Sequence, residues 1–311
     1  MKRKIVRVLV ILLLLICILV VNFGFQSSQK NKEITRVSII LPHDDDGYWN
    51  LIRKAIEKNE IAASEFGIDI NILLPQLNYN VEQMTELIKK QVAAQVDVIV
   101  VQGNQNAQFL KALREAYEQG IQIICVDTDI EDFPKHTYIG TDNYTAGRLM
   151  GQQLVSLVTD DEDVIVVSGA PGYSNLQQRY QGMVDVVGSH SNIQISDVYY
   201  DYYDALTFMN LYHSYSNQAN ILVCLEGTGG STLTTVYKSH DSSYKYIVGF
   251  DSYEGVKQGV IDGIIKQDTS QMGNEVVKSI IEYVKSGVME EKTIYTDSFW
   301  VTKDNYDEVI K

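Results

Sequence analysis

Carboxylates, amides and aromatic side chains cluster directly after the apolar, strand-like runs of this 311-residue sequence. The first such segment, PHDDDGYWN, runs from Pro42 to Asn50 after the apolar run RVSIIL, and seven further segments have the same position. They are QGNQN, DTD, GAPGYSN, YYDYYD, LEGTGG, FDSYEG and KQDTS. Because ligands of open parallel sheets bind beyond the carboxyl ends of the strands, this shared position predicts one polar binding cleft.

The first segment has three candidate roles. Its aspartates are consecutive, whereas a calcium loop places its acids at alternate positions, so a calcium site is disfavoured. Asp46 stands where a helix cap would stand, because an aspartate before a helix accepts hydrogen bonds from free backbone amides. With Tyr48 and Trp49 beside it, Asp46 also fits the rim of a binding cleft. We favour the cleft over the cap.

Catalysis ranks below binding in this sequence. The segment VVSGAPG does not match the Gly-x-Ser-x-Gly nucleophile motif, and nothing fixes the separation that paired acids need for glycoside hydrolysis. The five histidines show no metal-ligand spacing, and EGTGGST lacks the Gly-Lys-Ser/Thr ending of a phosphate loop. We therefore expect a binding protein with no catalytic residue, no metal and no cofactor.

Strands and helices alternate from Ile34 onward, and the series starts again near its middle. Two series of similar length predict an α/β fold of two doubly wound parallel-sheet lobes joined by a hinge. We expect residues 34–141 and 268–294 in the N-terminal lobe and residues 142–267 and 295–311 in the C-terminal lobe. The chain then crosses between the lobes near Thr141, Gln267 and Tyr295, and TDSFWVT is the last strand.

Residues 1–33 are predicted to target the chain and are separate from the fold. Four basic residues among the first seven precede an apolar run from Val8 to Val21, which approaches membrane-spanning length when it is extended to Phe25. No small-x-small cleavage site follows, and Ile16 stands before Cys17 where a lipoprotein signal needs a small residue. We expect an uncleaved membrane anchor with the remainder outside the cytoplasm; a cleaved signal peptide is the alternative.

The composition excludes some partners. A formal net charge of −14 repels nucleic acid and anionic lipid, so we expect neither as a ligand. Cys125 and Cys224 lie in the apolar runs IQIICVD and ANILVCLEG and are predicted to be small core residues of separate strands. A disulfide between them is the alternative in an exported chain.

The ordered set DGYWN, IGTDNYTAGR, RYQGM, VGFDSYEG and KQDTSQMG resembles the type I periplasmic sugar-binding proteins, and their ribose-binding branch is nearest. The resemblance covers the chain from Ile34 to its C-terminus. The same fold serves the effector domains of LacI-type repressors, but here a predicted membrane segment stands where the DNA-binding head would be. The resemblance therefore implies a two-lobed binding protein that is not a DNA-binding protein.

The resemblance also implies a ligand set. Two positions depart from the family pattern, because Thr128 replaces an arginine and Glu226 replaces an asparagine. These changes make the cleft acidic, which favours a neutral sugar or polyol, admits an amino sugar and disfavours phosphates and carboxylates. Either Tyr203 or its neighbour Tyr202 supplies the aromatic side chain of the second lobe, unless the run YYDYYD only packs its strand. The expected ligand-binding residues are Asp46, Tyr48, Trp49, Gln102, Asp127, Arg179, Tyr203, Glu226, Asp251 and Gln267.

The mechanism that this family implies is closure of the two lobes around the ligand. We expect a monomer that delivers a monosaccharide, polyol or amino sugar to an ABC permease. The alternative partner is a sensor histidine kinase in the membrane that binds the closed form. A fixed membrane anchor suits either partner, and the prevalence of uptake in the family places the permease first.

Overall fold

The computed structural model describes residues 34–42, 47–237 and 243–310. The predicted anchor, residues 1–33, and the predicted ligand residue Asp46 lie outside these described residues. Among the residues that are described, no helix is long and apolar enough to cross a membrane.

Twelve strands lie within the described residues and form two six-stranded sheets. In chain order they are β1 (Thr35–Ile40), β2 (Ile68–Leu73), β3 (Val98–Val101), β4 (Gln122–Val126), β5 (Thr137–Thr141), β6 (Glu162–Ser168), β7 (Ile193–Tyr200), β8 (Ile221–Cys224), β9 (Tyr246–Phe250), β10 (Gly263–Gln267), β11 (Lys292–Thr296) and β12 (Ser298–Val301). The first sheet contains β1 to β5 and β11, and the second contains β6 to β10 and β12.

Ten helices within the same described residues lie between or after these strands. They are α1 (Tyr48–Ser64), α2 (Val81–Ala93), α3 (Ala107–Glu118), α4 (Asn143–Leu157), α5 (Ser174–Val187), α6 (Ala205–Tyr215), α7 (Gly227–Val236), α8 (Tyr253–Gln258), α9 (Thr269–Ser286) and α10 (Tyr306–Val309). Several of these helices begin at a residue whose side chain caps the helix. For example, Asn80 Oδ1 accepts a hydrogen bond from Gln83 N at the start of α2.

Both sheets have equivalent strand orders. The first sheet has the order β2-β1-β3-β4-β5-β11, and the second has the order β7-β6-β8-β9-β10-β12. All neighbouring strands are parallel except β10 and β12, which pair antiparallel at the edge of the second sheet. The predicted pair of α/β lobes with parallel sheets is confirmed.

Apolar helices cover both faces of each sheet. In the first sheet Val100 packs on the side of α1 and α9, whereas its neighbour Val101 packs on the side of α2 and α3. Successive strand residues point to opposite faces, which explains why a strand covered on both sides is apolar throughout. Cys125 and Cys224 are buried free thiols in the cores of different lobes, as the core interpretation predicted.

The C-terminal strand differs from the prediction. The run TDSFWVT is divided between two strands: β11 ends at Thr296 in the first sheet and β12 begins at Ser298 in the second. Asp297 lies between them; its amide donates to Gln271 Oε1 at 2.8 Å, and its carbonyl accepts from Asp268 N at 3.0 Å. Tyr295 pairs with Gly140 within the first sheet, so the chain crosses after Thr296 and not before Tyr295.

Candidate ligand-binding cleft

Asp127 and Asp251 occupy equivalent positions in the two lobes. Asp127 follows β4 and Asp251 follows β9, and both have left-handed backbone angles, with φ of 67° and 53°. The Asp127 amide donates to Ile139 O at 2.9 Å, and the Asp251 amide donates to Ile265 O at 3.1 Å. Non-glycine residues in this conformation carry strain and concentrate at functional sites, so the two loops are candidates for one shared site.

The Asp127 carboxylate connects the two lobes. Within the first lobe Oδ1 accepts from the Tyr48 hydroxyl at 2.7 Å, and Oδ2 accepts from Thr128 Oγ1 at 2.7 Å and Gln102 Nε2 at 3.2 Å. From the second lobe, Asn175 Nδ2 on α5 donates to Oδ2 at 3.1 Å. Burial, together with the nearby Asp127 charge, raises the pKa of Tyr48, so this phenol remains a donor.

Arg179 on α5 is buried and held by three hydrogen bonds. Its Nε donates to Asn143 Oδ1 at 2.8 Å, its Nη1 to Leu225 O at 2.9 Å and its Nη2 to Gln267 Oε1 at 2.8 Å. The guanidinium carbon lies 4.1 Å from the centre of the Phe250 ring, a cation–π contact. These contacts fix the plane of the cation at the cleft.

The Asp251 carboxylate completes this chain of hydrogen bonds. Its Oδ2 accepts from Gln267 Nε2 at 2.6 Å, and its Oδ1 accepts from Gln267 N at 2.9 Å and from the Tyr253 hydroxyl at 3.0 Å. Burial raises the pKa of Asp251, an effect that the Gln267 hydrogen bonds oppose. Gln267 therefore joins the cation of Arg179 to the anion of Asp251.

Glu226 is the helix cap of α7 as well as a lining residue. Its Oε2 accepts from Thr228 N at 2.6 Å and its Oε1 accepts from Gly229 N at 3.1 Å. Behind it lies Asp201, which is fully buried; desolvation and the Glu226 charge raise the pKa of Asp201 to about 9. The charge that Glu226 adds is stabilised by the N-terminus of its own helix, and Asp201 is neutral at pH 7.

Two tyrosines stack between the lobes. Tyr79, from the loop before α2, and Tyr203, from the loop after β7, have ring centres 3.9 Å apart and planes 10° apart. A Cβ on Gly169 would collide with the Tyr203 ring, so glycine is required for this approach. The side chain that meets the first lobe is therefore that of Tyr203, whereas Tyr202 is 63% exposed.

The prediction for Trp49 is wrong, because this ring is not among the residues that line the cleft. Trp49 is 2% exposed and packs in the core of the first lobe, where its Nε1 donates to the Tyr79 hydroxyl at 2.8 Å. Tyr48 and Trp49 are neighbours on α1, and neighbouring helix positions point about 100° apart. The two rings therefore point in different directions, and it is Tyr48 that lines the cleft.

One cavity of about 980 Å³ brings the predicted residues together. The predicted residues that line it are Tyr48, Gln102, Asp127, Arg179, Tyr203, Glu226, Asp251 and Gln267. Gln102 Oε1 is buried and has no hydrogen-bond partner among the described residues, so it can accept from a ligand hydroxyl. Tyr79 and Tyr253 also line the cavity, although no sequence motif identifies either tyrosine individually. Tyr79 lies in LPQLNYN, a polar segment after β2 that has the same position as the other strand-end segments.

This fold and cleft define a two-lobed solute-binding protein. The model of the periplasmic binding protein domain matches residues 37–287, and the chain belongs to that family. Its fold is that of the type I periplasmic sugar-binding proteins, which confirms the resemblance found in the sequence. The family also supports an extracytoplasmic location and a binding role, not catalysis.

Three relatives illustrate the family. An ABC transporter solute-binding protein from Burkholderia graminis, in complex with D-arabinose, is 21% identical with a TM-score of 0.80, covering 91% of this chain and 100% of that one. A chain of a XylFII–LytSN complex is 23% identical with a TM-score of 0.73, covering 87% of this chain and 98% of that one. The xylose/arabinose-binding protein XylF of Sulfolobus acidocaldarius is 29% identical over 97 residues, 28% of this chain. The match spans only 24% of that protein's length.

Proposed function

We propose that this chain is an extracytoplasmic solute-binding protein that captures one small sugar or polyol between its lobes for an ABC importer. The observation that carries the proposal is the pair of equivalent carboxylates, Asp127 and Asp251, which line one cavity from opposite lobes. Carboxylates accept hydrogen bonds from hydroxyls, and the cavity also contains the donors Arg179 and Asn175. A ring with hydroxyls around its edge satisfies both kinds of group.

The charges around the cavity define the ligand class. Among the described residues Arg179 is the single cation that lines the cavity, and the lining acids are Asp127, Glu226, Asp251 and Glu254. A phosphate or carboxylate on the ligand would add a further anion to this site and would be repelled. A neutral sugar or polyol fits, and an amino sugar fits as well because its ammonium would offset the excess of acid.

Closure of the lobes is the proposed mechanism. Besides the Asn175–Asp127 bond, the Ser174 hydroxyl donates to Asp129 O at 2.9 Å, and Gln105 N donates to Gly172 O at 3.0 Å across the two lobes. These contacts belong to a closed arrangement. A ligand that touches both lobes would select this arrangement over an open one.

Calorimetry against a panel of pentoses, hexoses, polyols and amino sugars tests the proposal. We expect one member to bind, and we expect Asp251→Ala and Tyr203→Ala to weaken its binding. Tyr202→Ala is the matched control, since it removes a neighbouring but exposed ring. Full affinity in both cleft variants, or equal losses in Tyr202→Ala and Tyr203→Ala, would contradict the site.

A second candidate function is presentation of the closed, sugar-bound form to a sensor histidine kinase. One comparison favours it, because a solved chain with this fold belongs to the XylFII–LytSN complex. The proposed uncleaved anchor in residues 1–33 would also keep a monomer beside such a partner. Deleting the gene separates the two functions: loss of ligand uptake supports the importer. Persistent uptake with loss of ligand-induced transcription supports the sensor.

A further inference from the structure

Three side chains of metal-ligand type meet in the first lobe, and none of them is among the residues that line the cleft. The Cys125 thiol, the Asp129 carboxylate and the His136 imidazole each offer one ligand atom, and these atoms lie within 4.8 Å of one another. Cys125 is on β4, Asp129 is in the loop after it and His136 immediately precedes β5. Their irregular spacing along the chain is why the sequence predicted no metal site.

The histidine is already oriented as metal-binding histidines are. His136 Nδ1 lies 2.9 Å from Pro134 O, and Nε2 lies 2.7 Å from Asp129 Oδ1. A metal-ligating histidine uses one ring nitrogen for the ion and donates the other N–H to a carbonyl or carboxylate. The Pro134 carbonyl supplies that second contact, which leaves Nε2 to face Asp129.

The environment of the three side chains restricts their motion. The His136 ring meets the Phe133 ring edge-on with centres 5.7 Å apart, and the Arg114 guanidinium lies 5.6 Å from the Phe133 ring centre. The side chain of His136 is 14% exposed and that of Asp129 is 35% exposed. Cys125 is fully buried, so a metal would reach the thiol from the side of Asp129, where a water can complete the coordination.

We propose that Cys125, Asp129 and His136 bind one Zn²⁺ ion. Zinc accepts this mixture of sulfur, oxygen and nitrogen ligands in tetrahedral geometry, whereas calcium and magnesium require oxygen ligands. Ligand atoms of a tetrahedral zinc site lie about 3.3–3.6 Å apart. The three atoms here lie within 4.8 Å of one another, and the 2.7 Å contact between His136 Nε2 and Asp129 Oδ1 must open to admit the ion. Binding replaces the thiol proton of Cys125 and the Nε2 proton of His136, which are released to solvent.

The ion would stabilise the connection from β4 to β5. Asp129 contributes to the contact between lobes through its carbonyl, which accepts from the Ser174 hydroxyl at 2.9 Å. It also lies two residues beyond Asp127 in the sequence. A metal at Asp129 would therefore fix the loop that carries one carboxylate of the cleft, without contacting the cleft ligand.

Cobalt is the probe for this site, because Co²⁺ bound to a thiolate absorbs in the near ultraviolet and tetrahedral Co²⁺ absorbs in the visible. The test protein is the full chain in detergent with Cys17→Ser and Cys224→Ser, which retains Cys125 as its single thiol. We expect one equivalent of Co²⁺ to saturate both absorptions and Zn²⁺ to abolish them. We also expect Zn²⁺ to raise the midpoint of thermal unfolding.

Substitutions assign the ligands. Adding Cys125→Ser should remove the thiolate absorption, and adding Asp129→Asn or His136→Asn should weaken Co²⁺ binding by at least about 10-fold. His190→Asn is the matched control and should bind as the parent does, because that histidine lies in the second lobe. A folded parent protein that shows no saturable thiolate absorption would overturn the proposal. So would equal binding by the parent and the His136→Asn protein.

Discussion

Tyr79 and Tyr203 stack face to face across the cleft, with ring centres 3.9 Å apart, although they belong to different lobes. Both have left-handed backbone angles, with φ of 50° and 59°, and the Tyr173 ring packs edge-on against each of them. The stack is a contact between the lobes that requires no ligand. It stabilises the closed arrangement in addition to the bonds that a ligand supplies.

Removing one ring of the stack should shift the ligand-free protein towards its open form. An aromatic pair contributes about 0.5–1.5 kcal/mol, so Tyr79→Ala should change the ratio of closed to open molecules by about 2- to 10-fold. Small-angle X-ray scattering should then show a larger radius of gyration for Tyr79→Ala than for the wild-type chain. Tyr202→Ala should scatter as the wild type does. An unchanged radius in Tyr79→Ala would show that the stack does not hold the lobes together.

Arg179 should be essential for stability as well as for the cleft. In Arg179→Lys a single ammonium replaces the planar group that donates to Asn143, Leu225 O and Gln267, and buried acceptors are left unpaired. We expect a loss of about 2–4 kcal/mol in the free energy of unfolding, measured by urea titration.

Arg148→Lys is the control for that measurement, because Arg148 is partly exposed and its guanidinium lies 6.0 Å from the Tyr144 ring centre. It should change the free energy of unfolding by less than about 0.5 kcal/mol. Equal effects of the two substitutions would mean that the three hydrogen bonds of Arg179 contribute little.

The buried acid Asp201 should make the wild-type chain lose stability as the pH rises. Desolvation and the Glu226 charge raise its pKa to about 9, while Tyr203 N donates to its Oδ1 at 2.9 Å and opposes the shift. Between the ordinary carboxyl pKa and about 9 the folded chain keeps a proton that the unfolded chain has lost. Asp201 therefore contributes a decrease of up to about 1.4 kcal/mol per pH unit within that window.

Asp201→Asn replaces the titrating carboxyl with a neutral amide, so it tests the predicted decrease in stability with rising pH. Urea unfolding of both proteins at pH 5 and pH 8 should show the variant gaining stability relative to the wild type at the higher pH. Asp204→Asn is the control, since Asp204 caps α6 at the surface and its pKa is lowered by hydrogen bonds from Thr207. A stability difference between Asp201→Asn and wild type that is the same at both pH values would contradict the buried, protonated state.

The sequence predicted the two sheets and most of the cleft because both depend on short-range pattern. A strand ends where its apolar run ends, and in a parallel sheet the residues that follow share one edge. This pattern puts Asp127 and Asp251 after strands of different lobes, and both residues line the cavity. The pattern cannot show whether Glu226 binds the ligand or caps a helix, because the residue lies both after β8 and directly before α7.

Other features depend on backbone detail that sequence patterns do not contain. Tyr79 is a loop residue with a left-handed backbone conformation, and its ring stacks on Tyr203 of the other lobe. The prediction for Trp49 was wrong because the orientation of α1 about its own axis decides which side chains face the cleft. Being next to Tyr48 in the sequence does not. Cys125, Asp129 and His136 are brought together by a loop, where no helical or strand period relates one residue to the next.

A crystal structure with the sugar or polyol identified by calorimetry would show whether one ligand contacts both lobes. We predict one ligand molecule between the lobes, with hydroxyl oxygens about 2.5–3.0 Å from a carboxylate oxygen of Asp127 and from one of Asp251. We also predict a ligand hydroxyl that donates to Gln102 Oε1, a buried atom to which no other described residue donates. A ligand that contacts only one lobe, or that binds outside this cavity, would contradict binding between the lobes.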